Sequence, residues 1–332
     1  MQTNERQQIL NDLEILRRTG QGFEALALRI FRYQAAHNPL YRRYLSLLHR
    51  PPESVQHWTN IPFLPISLFK THSIQTGAWT PEVVFTSSST TGQTPSRHLT
   101  RDLDAYLTNT LAGFRQYYGD PADWMILALL PAYLERKGSS LVAMADFFIR
   151  RSRYPQSGFF LHDLDALAAV LQQRPAGVPV LLLGVSFALL DLAGQFPMPL
   201  PGVTIMETGG MKGRRREMTR QEMHGILQQA FQVPVIHSEY GMTELLSQAY
   251  SQGNSIFTPA NTMQVMAVEL NDPFCAALPG RNGVLQVADL ANVDTCSFIA
   301  TEDLGKVYAN GSFEVTGRAD TAEMRGCNLM VE

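Results

Sequence analysis

Between residues 124 and 236 the chain alternates short apolar runs with amphipathic stretches, and this rhythm constrains the fold more than any other feature. Trp124–Leu130 reads as a strand, Ser139–Arg150 and Leu164–Gln173 as helices, and Val180–Leu183 as a buried strand. Phe187–Ala193 is a helix, Val203–Met206 a strand, Arg220–Phe231 a helix, and Val233–Ile236 a further β-branched run. The Arg220 helix opens on Thr219-x-x-Glu222, a capping box in which the hydroxyl and the carboxylate satisfy backbone donors reciprocally. Strands joined through helices require right-handed crossovers, so this is an α/β chain with a mostly parallel sheet.

The flanks differ. Residues 3–50 read as helices, with Phe23, Leu26, Ile30 and Phe31 at helical spacing and a break at Asn38-Pro39. The prolines of Ile61-Pro62-Phe63-Leu64-Pro65-Ile66 deny it a central strand position, so it is an extended segment on the core. After residue 260 the helices stop. Gln264–Leu270, Val284–Ala288, Ser297–Ala300 and Phe313–Val315 are short runs between turn residues, the pattern of an antiparallel β section. The division expected is an N-terminal helical segment, 1–60, packed on a main domain, 61–332, that turns β-rich from about 260.

Composition excludes several classes. The net charge is −3 over 332 residues, which argues against a nucleic-acid surface, since phosphate backbones demand clustered cation. The 3 cysteines, Cys275, Cys296 and Cys327, show no C-x-x-C spacing, and their odd number argues against a disulfide framework. Cys275 and Cys296 read as structural. The N-terminus lacks the apolar stretch of a signal peptide. The longest apolar run, Val178 to Leu190, is shorter than the roughly 18–20 residues of a bilayer span. A reduced cytosol is the expected setting, with no transmembrane segment.

Chemistry concentrates in five loops. Phe85-Thr86-Ser87-Ser88-Ser89-Thr90-Thr91-Gly92 places consecutive hydroxyls after a β run, a donor-rich surface for anionic oxygens. It is followed by a helix striped with Leu103, Tyr106, Leu107, Thr110, Leu111 and Phe114, for which Thr100 is the expected cap. Strand 203–206 runs into Glu207-Thr208-Gly209-Gly210-Met211-Lys212-Gly213, whose glycines permit close backbone approach to a flat ligand. The third loop is Glu239-Tyr240-Gly241-Met242-Thr243-Glu244. Thr243 there offers a phosphate donor beside Glu244, a hard oxygen ligand for Mg²⁺, although Thr243 reads equally well as the cap of a following helix. Thr301-Glu302-Asp303-Leu304-Gly305 puts Asp303 just after a strand, where its carboxylate can accept two ribose hydroxyls; Thr316-Gly317-Arg318-Ala319-Asp320 puts Arg318 in a similar turn.

In this order the motifs resemble those of the adenylate-forming enzymes, and within that superfamily the chain is most similar to the acyl-protein synthetase (LuxE-type) branch. The match runs from about Tyr41 to the end. The resemblance implies the large-domain architecture of those enzymes, an α/β fold of mostly parallel sheets with packed helices and a β-rich C-terminal section. It implies ATP and Mg²⁺ as cofactors: Ser87, Ser88, Ser89, Thr90, Thr91 and Gly92 around the phosphates, and Glu207, Thr208, Gly209 and Gly210 against adenine. Tyr240 would border the adenine and acyl pocket, with Gly241 and Met242 also at the nucleotide. Thr243 would hold the α-phosphate, Glu244 Mg²⁺, Asp303 the ribose hydroxyls, and Arg318 ribose or phosphate. A carboxylic acid, a fatty acid in that branch, would be activated to an acyl-adenylate with release of pyrophosphate. The acyl group would pass to a cysteine near the C-terminus, for which Cys327 with Arg325 beside it is the candidate, and on to a partner such as an acyl reductase. An aryl- or acyl-CoA ligase, or a non-catalytic nucleotide-binding scaffold, are the alternatives. The chain departs from the family pattern at Ser89, where glycine is usual, and at Ser96-Arg97, where a lysine is usual, leaving Arg97 as the substitute cation. The small C-terminal domain with its catalytic lysine is not expected, which favours a local cysteine or a partner protein as acceptor.

Overall fold

The structure, a computed structural model, describes residues 2–87, 94–130, 138–209 and 218–319. It divides into two compact units, one of residues 1–82, 98–101 and 261–332, the other of 83–97 and 102–260.

Three helices begin the chain, α1 (Gln2–Thr19), α2 (Phe23–His37) and α3 (Pro39–Leu47). Asn38-Pro39 makes the expected break. Pro39 occupies the first turn of α3, where its missing N–H costs nothing, and the Asn38 side chain accepts from Tyr41 N–H at 3.1 Å. β1 (Leu64–Pro65) and the single turn α4 (Leu68–Thr71) follow. β1 lies at a sheet edge, as Pro65 requires.

After β2 (Val83–Thr86) and β3 (Arg97–Thr100), α5 (Leu103–Tyr118) opens the strand–helix alternation. Its cap is not Thr100, which lies buried in β3, but Asp102, whose carboxylate accepts from Ala105 N–H at 2.9 Å. The alternation continues through β4 (Met125–Leu129), α6 (Ser140–Arg151), β5 (Gly158–Phe159), α7 (Leu164–Gln172), β6 (Val180–Val185), α8 (Ser186–Gln195), β7 (Val203–Thr208) and α9 (Arg220–Phe231). Thr219 and Glu222 form the expected capping box of α9. The next strand, β8, is His237–Tyr240 and not Val233–Ile236. Pro234 cannot donate to a ladder, so pairing starts only beyond it. β9 (Ala249–Ser251) and β10 (Thr258–Pro259) complete a sheet of order β10-β9-β8-β7-β6-β4-β5, in which β5, β4, β6, β7 and β8 are parallel and β9 and β10 antiparallel. Every residue of β4 and β6 is buried, which explains their unbroken apolar runs: a central parallel strand is covered on both faces. The described parts of Trp124–Leu134 and Leu181–Leu190 accordingly belong to this core.

The β section has β11 (Met263–Glu269), β12 (Asp272–Ala276), β13 (Asn282–Asp289), β14 (Phe298–Val307) and β15 (Phe313–Arg318). They form one sheet, antiparallel except for β1, which runs parallel to β14. The N-terminal helices belong to the same unit. Their bond to it is a polar knot around residues 292–297, buried at Gln34 and Asn38 and part-buried at Arg6. Gln34 donates to Asn292 O at 2.8 Å, Asn38 donates to Thr295 O at 3.0 Å, and Arg6 grips Asp294 with two bonds of 2.6 and 2.7 Å. Phe31 and Phe63 meet Phe298 edge-on beside this knot. Cys296 is buried there, and burial pushes its thiol up to about 12; Cys275, by contrast, is exposed on β12, so no packing supports a structural role for it. Among the described residues no helix is long and apolar enough to cross a membrane.

The two readings of the α5 cap separate by mutation. Asp102→Ala should cost about 1 kcal/mol in chemical denaturation. Thr100→Val should be neutral or stabilising, because the buried Thr100 hydroxyl has no hydrogen-bond partner among the described residues.

Candidate functional site

In a parallel sheet, ligands gather at the carboxyl ends of the strands. Here the ends of β6, β7 and β8 carry Ser186, Glu207-Thr208-Gly209 and Glu239-Tyr240, and β8 leads into Gly241-Met242-Thr243-Glu244. The first two residues of the third motif, Glu239 and Tyr240, therefore lie on the strand next to the one that carries Glu207 and Thr208, in register from Met206↔His237 to Thr208↔Glu239. No helix follows Thr243. The chain turns through 243–246 into antiparallel β9, so Thr243 is not a helix cap. Thr243 and Met242 are half-buried, Gly241 is exposed and Glu244 is buried at 6% exposure.

Glu207 does not offer its carboxylate to a ligand. Its side chain is 2% exposed and accepts from Arg220 Nε at 2.8 Å, with His224 Nε2 at 3.7 Å. Burial pushes the Glu207 carboxyl up, but His224, Arg220 and Ser238 outweigh it and hold it below its ordinary value. The Arg220 guanidinium also lies 5.1 Å from the Phe257 ring, which in turn packs 5.8 Å from the Tyr240 ring. One contact chain, Glu207–Arg220–Phe257–Tyr240, thus ties the end of β7 to the end of β8. Ser186 Oγ donates to Gly209 O at 2.6 Å and fixes the turn after β7, where Gly209 takes φ +72°, a region closed to most residues.

On the opposite face of the sheet, Glu239 is 7% exposed and its Oε2 accepts a hydrogen bond from Thr208 Oγ1. Burial pushes this carboxyl up to about 7, the Thr208 bond opposing and Glu207 adding to the rise.

The remaining predicted positions divide. Ser87 stands at the base of the hydroxyl-rich loop, where its N–H donates to Ser96 O at 3.1 Å and its Oγ accepts from Ser96 N–H at 2.9 Å. Arg97 is exposed on β3. Ser88, Ser89, Thr90, Thr91, Gly92, Gly210 and Cys327 lie outside the described residues. Asp303 and Arg318 belong to the other unit and are not in turns. They sit within β14 and at the end of β15, directly opposite each other in register. A longer β14 than the 297–300 run accounts for the difference. Arg318 is largely exposed and donates to Glu302 at 2.9 Å. Sequence reasoning missed Arg220, His224, Phe257 and the structural part of Glu239. A charged residue inside a buried β run was the available signal for Glu239; Arg220 had none beyond its place beside Thr219.

No family model matches the chain, and no curated protein matches it in sequence. Solved structures do. The mixed α/β architecture is that of the large domain of adenylate-forming enzymes. ATP-bound MatB from Rhodopseudomonas palustris aligns at a TM-score of 0.53 and 16% identity, over 73% of this chain and 49% of that one. An ATP-bound RpMatB-BxBclM chimera aligns at 0.55 and 16%, with the same coverage. The open form of 2-hydroxyisobutyryl-CoA ligase, in complex with 2-HIB-AMP and CoA, aligns at 0.64 and 13%, over 90% of this chain and 70% of that one. The chain thus spans about half the length of the MatB structures. At these identities the likeness establishes the fold.

Removing the cation from the Glu207 pair tests this electrostatic account. Arg220→Ala should destabilise the protein by about 3 kcal/mol at pH 7, since it strands a buried carboxylate. The penalty should shrink as pH falls below the ordinary carboxylate range: the depressed Glu207 value contributes stability above that range and loses it as the carboxylate is protonated. Urea denaturation of both proteins at several pH values measures it.

Proposed function

We propose that the protein activates a carboxylic acid with ATP, forming an acyl-adenylate and pyrophosphate. The observation that carries this reading is the juxtaposition of the Thr208-Gly209 and Gly241–Glu244 turns at the carboxyl ends of two adjacent parallel strands, in a chain with the adenylate-forming fold. In the reaction an oxygen of the substrate carboxylate bonds to the α-phosphorus of ATP while the bond to the β-phosphate oxygen breaks and pyrophosphate leaves. The acid is already ionised at neutral pH, so no general base is assigned. The protein's task is to hold two anions in line and offset their repulsion. Thr243 would donate to the α-phosphate, and the Gly209 turn would lie against adenine. For Mg²⁺, Glu244 would supply one hard carboxylate beside the Thr243 hydroxyl. Bound with ATP, the ion would neutralise phosphate charge. Asp303 and Arg318 are proposed for the ribose hydroxyls and phosphate.

The finer reading is an acyl-protein synthetase of the LuxE type in a reducing cytosol. It would transfer a fatty acyl group from the adenylate to the Cys327 thiolate with release of AMP, and from that thioester to an acyl-accepting partner such as an acyl reductase. Its support is the motif order and the cysteine in Arg325-Gly326-Cys327. A second reading, transfer to coenzyme A, is favoured by the 2-hydroxyisobutyryl-CoA ligase likeness.

Incubation with an alkyne-tagged fatty acid and Mg-ATP separates these readings. The expected result is ATP-dependent, hydroxylamine-sensitive labelling of the protein together with pyrophosphate release. Glu244→Gln should lower pyrophosphate release by on the order of 100-fold, the size typical of losing one electrostatic contact in a reactive site. Cys327→Ser should keep pyrophosphate release and abolish label; label persisting in that variant excludes Cys327 as acceptor. Acyl-CoA formed without protein label would favour the second reading. Neither pyrophosphate nor label with a panel of acids would sink adenylation.

A further inference from the structure

Glu207 and Glu239 are one strand apart and both are buried, yet their surroundings differ in kind. On the α9 face of the sheet Glu207 has a guanidinium and an imidazole. On the α5 face the Glu239 carboxyl has a single hydrogen-bond donor among the described residues, the Thr208 hydroxyl, and no cation. The titratable groups around it are Glu207 on β7, Tyr250 opposite it on β9, His237 on β8 itself, and Tyr117 and Tyr118 of α5, whose rings pack on Tyr250. Burial holds His237 toward its neutral form and Tyr250 well above the ordinary phenol value, so none of these side chains brings positive charge at neutral pH. An ionised carboxylate has about four lone-pair sites to satisfy, and one neutral donor satisfies few of them at a residue only 7% exposed. The neutral acid suits the site better, with Thr208 donating to Oε2 and the proton on Oε1.

That Oε1 faces the turn. A Cβ built on Gly241 would lie 2.5 Å from it, so the first residue after β8 runs directly over the Glu239 carboxyl. Glu239 therefore bridges the last residue of β7 and the first residue of the Gly241–Glu244 turn.

We propose that Glu239 is a positioning residue of the nucleotide site that acts as a neutral acid, holding the Gly241–Glu244 turn against the end of β7 so that Thr243 and Glu244 face the phosphates. The inference rests on the adenylation reading above. Ionisation of Glu239 would put an uncompensated charge under the turn and disfavour its binding-competent form. A carboxyl that titrates near 7 then makes ATP affinity fall as pH rises through neutrality.

The test is ATP titration by calorimetry from pH 6 to 8.5 on the wild type, Glu239→Gln and Glu239→Ala, each at constant ionic strength. Glutamine copies the neutral acid, accepting from Thr208 and donating toward the turn, and cannot ionise. The wild-type dissociation constant should rise on the order of tenfold across the range, because apparent affinity scales with the competent fraction. Glu239→Gln should lack that rise, apart from the part due to ATP itself, and so bind more tightly than wild type at pH 8.5; Glu239→Ala should bind weakly throughout. Parallel pH profiles for wild type and Glu239→Gln overturn the proposal. So does an infrared difference spectrum at pH 6 with no buried carboxylic-acid band assignable to Glu239, a readout that needs no nucleotide. No ATP binding by any of the three proteins, with that band present, would instead overturn the nucleotide reading beneath it.

Discussion

A parallel strand covered on both faces can present only its end to a ligand. β4 and β6 are such strands, wholly apolar and wholly buried, and they leave the sheet no exposed face on which to build a site. Chemistry is thereby forced to the carboxyl edge, into the turns after β6, β7 and β8. The polar residues of that edge are nonetheless out of water: Ser186, Glu207, Thr208, Ser238, Glu239 and Glu244 are all buried. Each must find a partner or change its charge state. The local architecture of the edge follows from how those demands are met.

Glu207 meets its demand with charge. Arg220 stands at the first turn of α9, and the capping box of Thr219 and Glu222 fixes where that turn begins. The cap therefore does more than stabilise a helix by the ~1 kcal/mol usual for such motifs; it sets the height at which the guanidinium meets the Glu207 carboxylate. The same guanidinium rests on Phe257, and Phe257 on Tyr240, so a change at any link is felt at the ends of both β7 and β8. Glu239 meets the demand by holding its proton. Two carboxyls on neighbouring strands are driven toward opposite protonation states by what covers each face, a division of labour often found where a site needs one anion and one neutral donor.

The sequence displayed the alternation and the loops well because both are local. Buried strands, helix stripes and the Thr219 capping box lie within a few residues of one another. The parallel sheet, the antiparallel section after 260 and the Asn38-Pro39 break were legible for that reason. Boundaries set by pairing were not. The ladder of β8 starts beyond Pro234, and β14 extends through Asp303 because β13 and β15 hold it as a strand, neither of which a run of apolar residues reveals. Long-range association was equally hidden. The placing of the N-terminal helices with the β section depends on Gln34 and Asn38, ordinary polar residues whose partners lie more than 250 positions away. Nothing near them marks them as buried.

Gly241 shows why a motif can be recognised before it is understood. A glycine in a turn invites an explanation from backbone conformation, yet Gly241 is absent from the positive-φ residues of the protein, whereas Gly209 is among them. What excludes a side chain at 241 is the Glu239 carboxyl beneath it, pinned from the other side by Thr208. Glycine at 241 and glutamate at 239 are thus two halves of one constraint. An alanine at 241 requires the Glu239 carboxyl to shift, and that carboxyl is held on its other oxygen by the Thr208 hydroxyl. The constraint on residue 241 is thus a contact rather than a dihedral angle. The same contact makes the turn that carries Thr243 and Glu244 answer to the protonation of a group that never reaches the ligand.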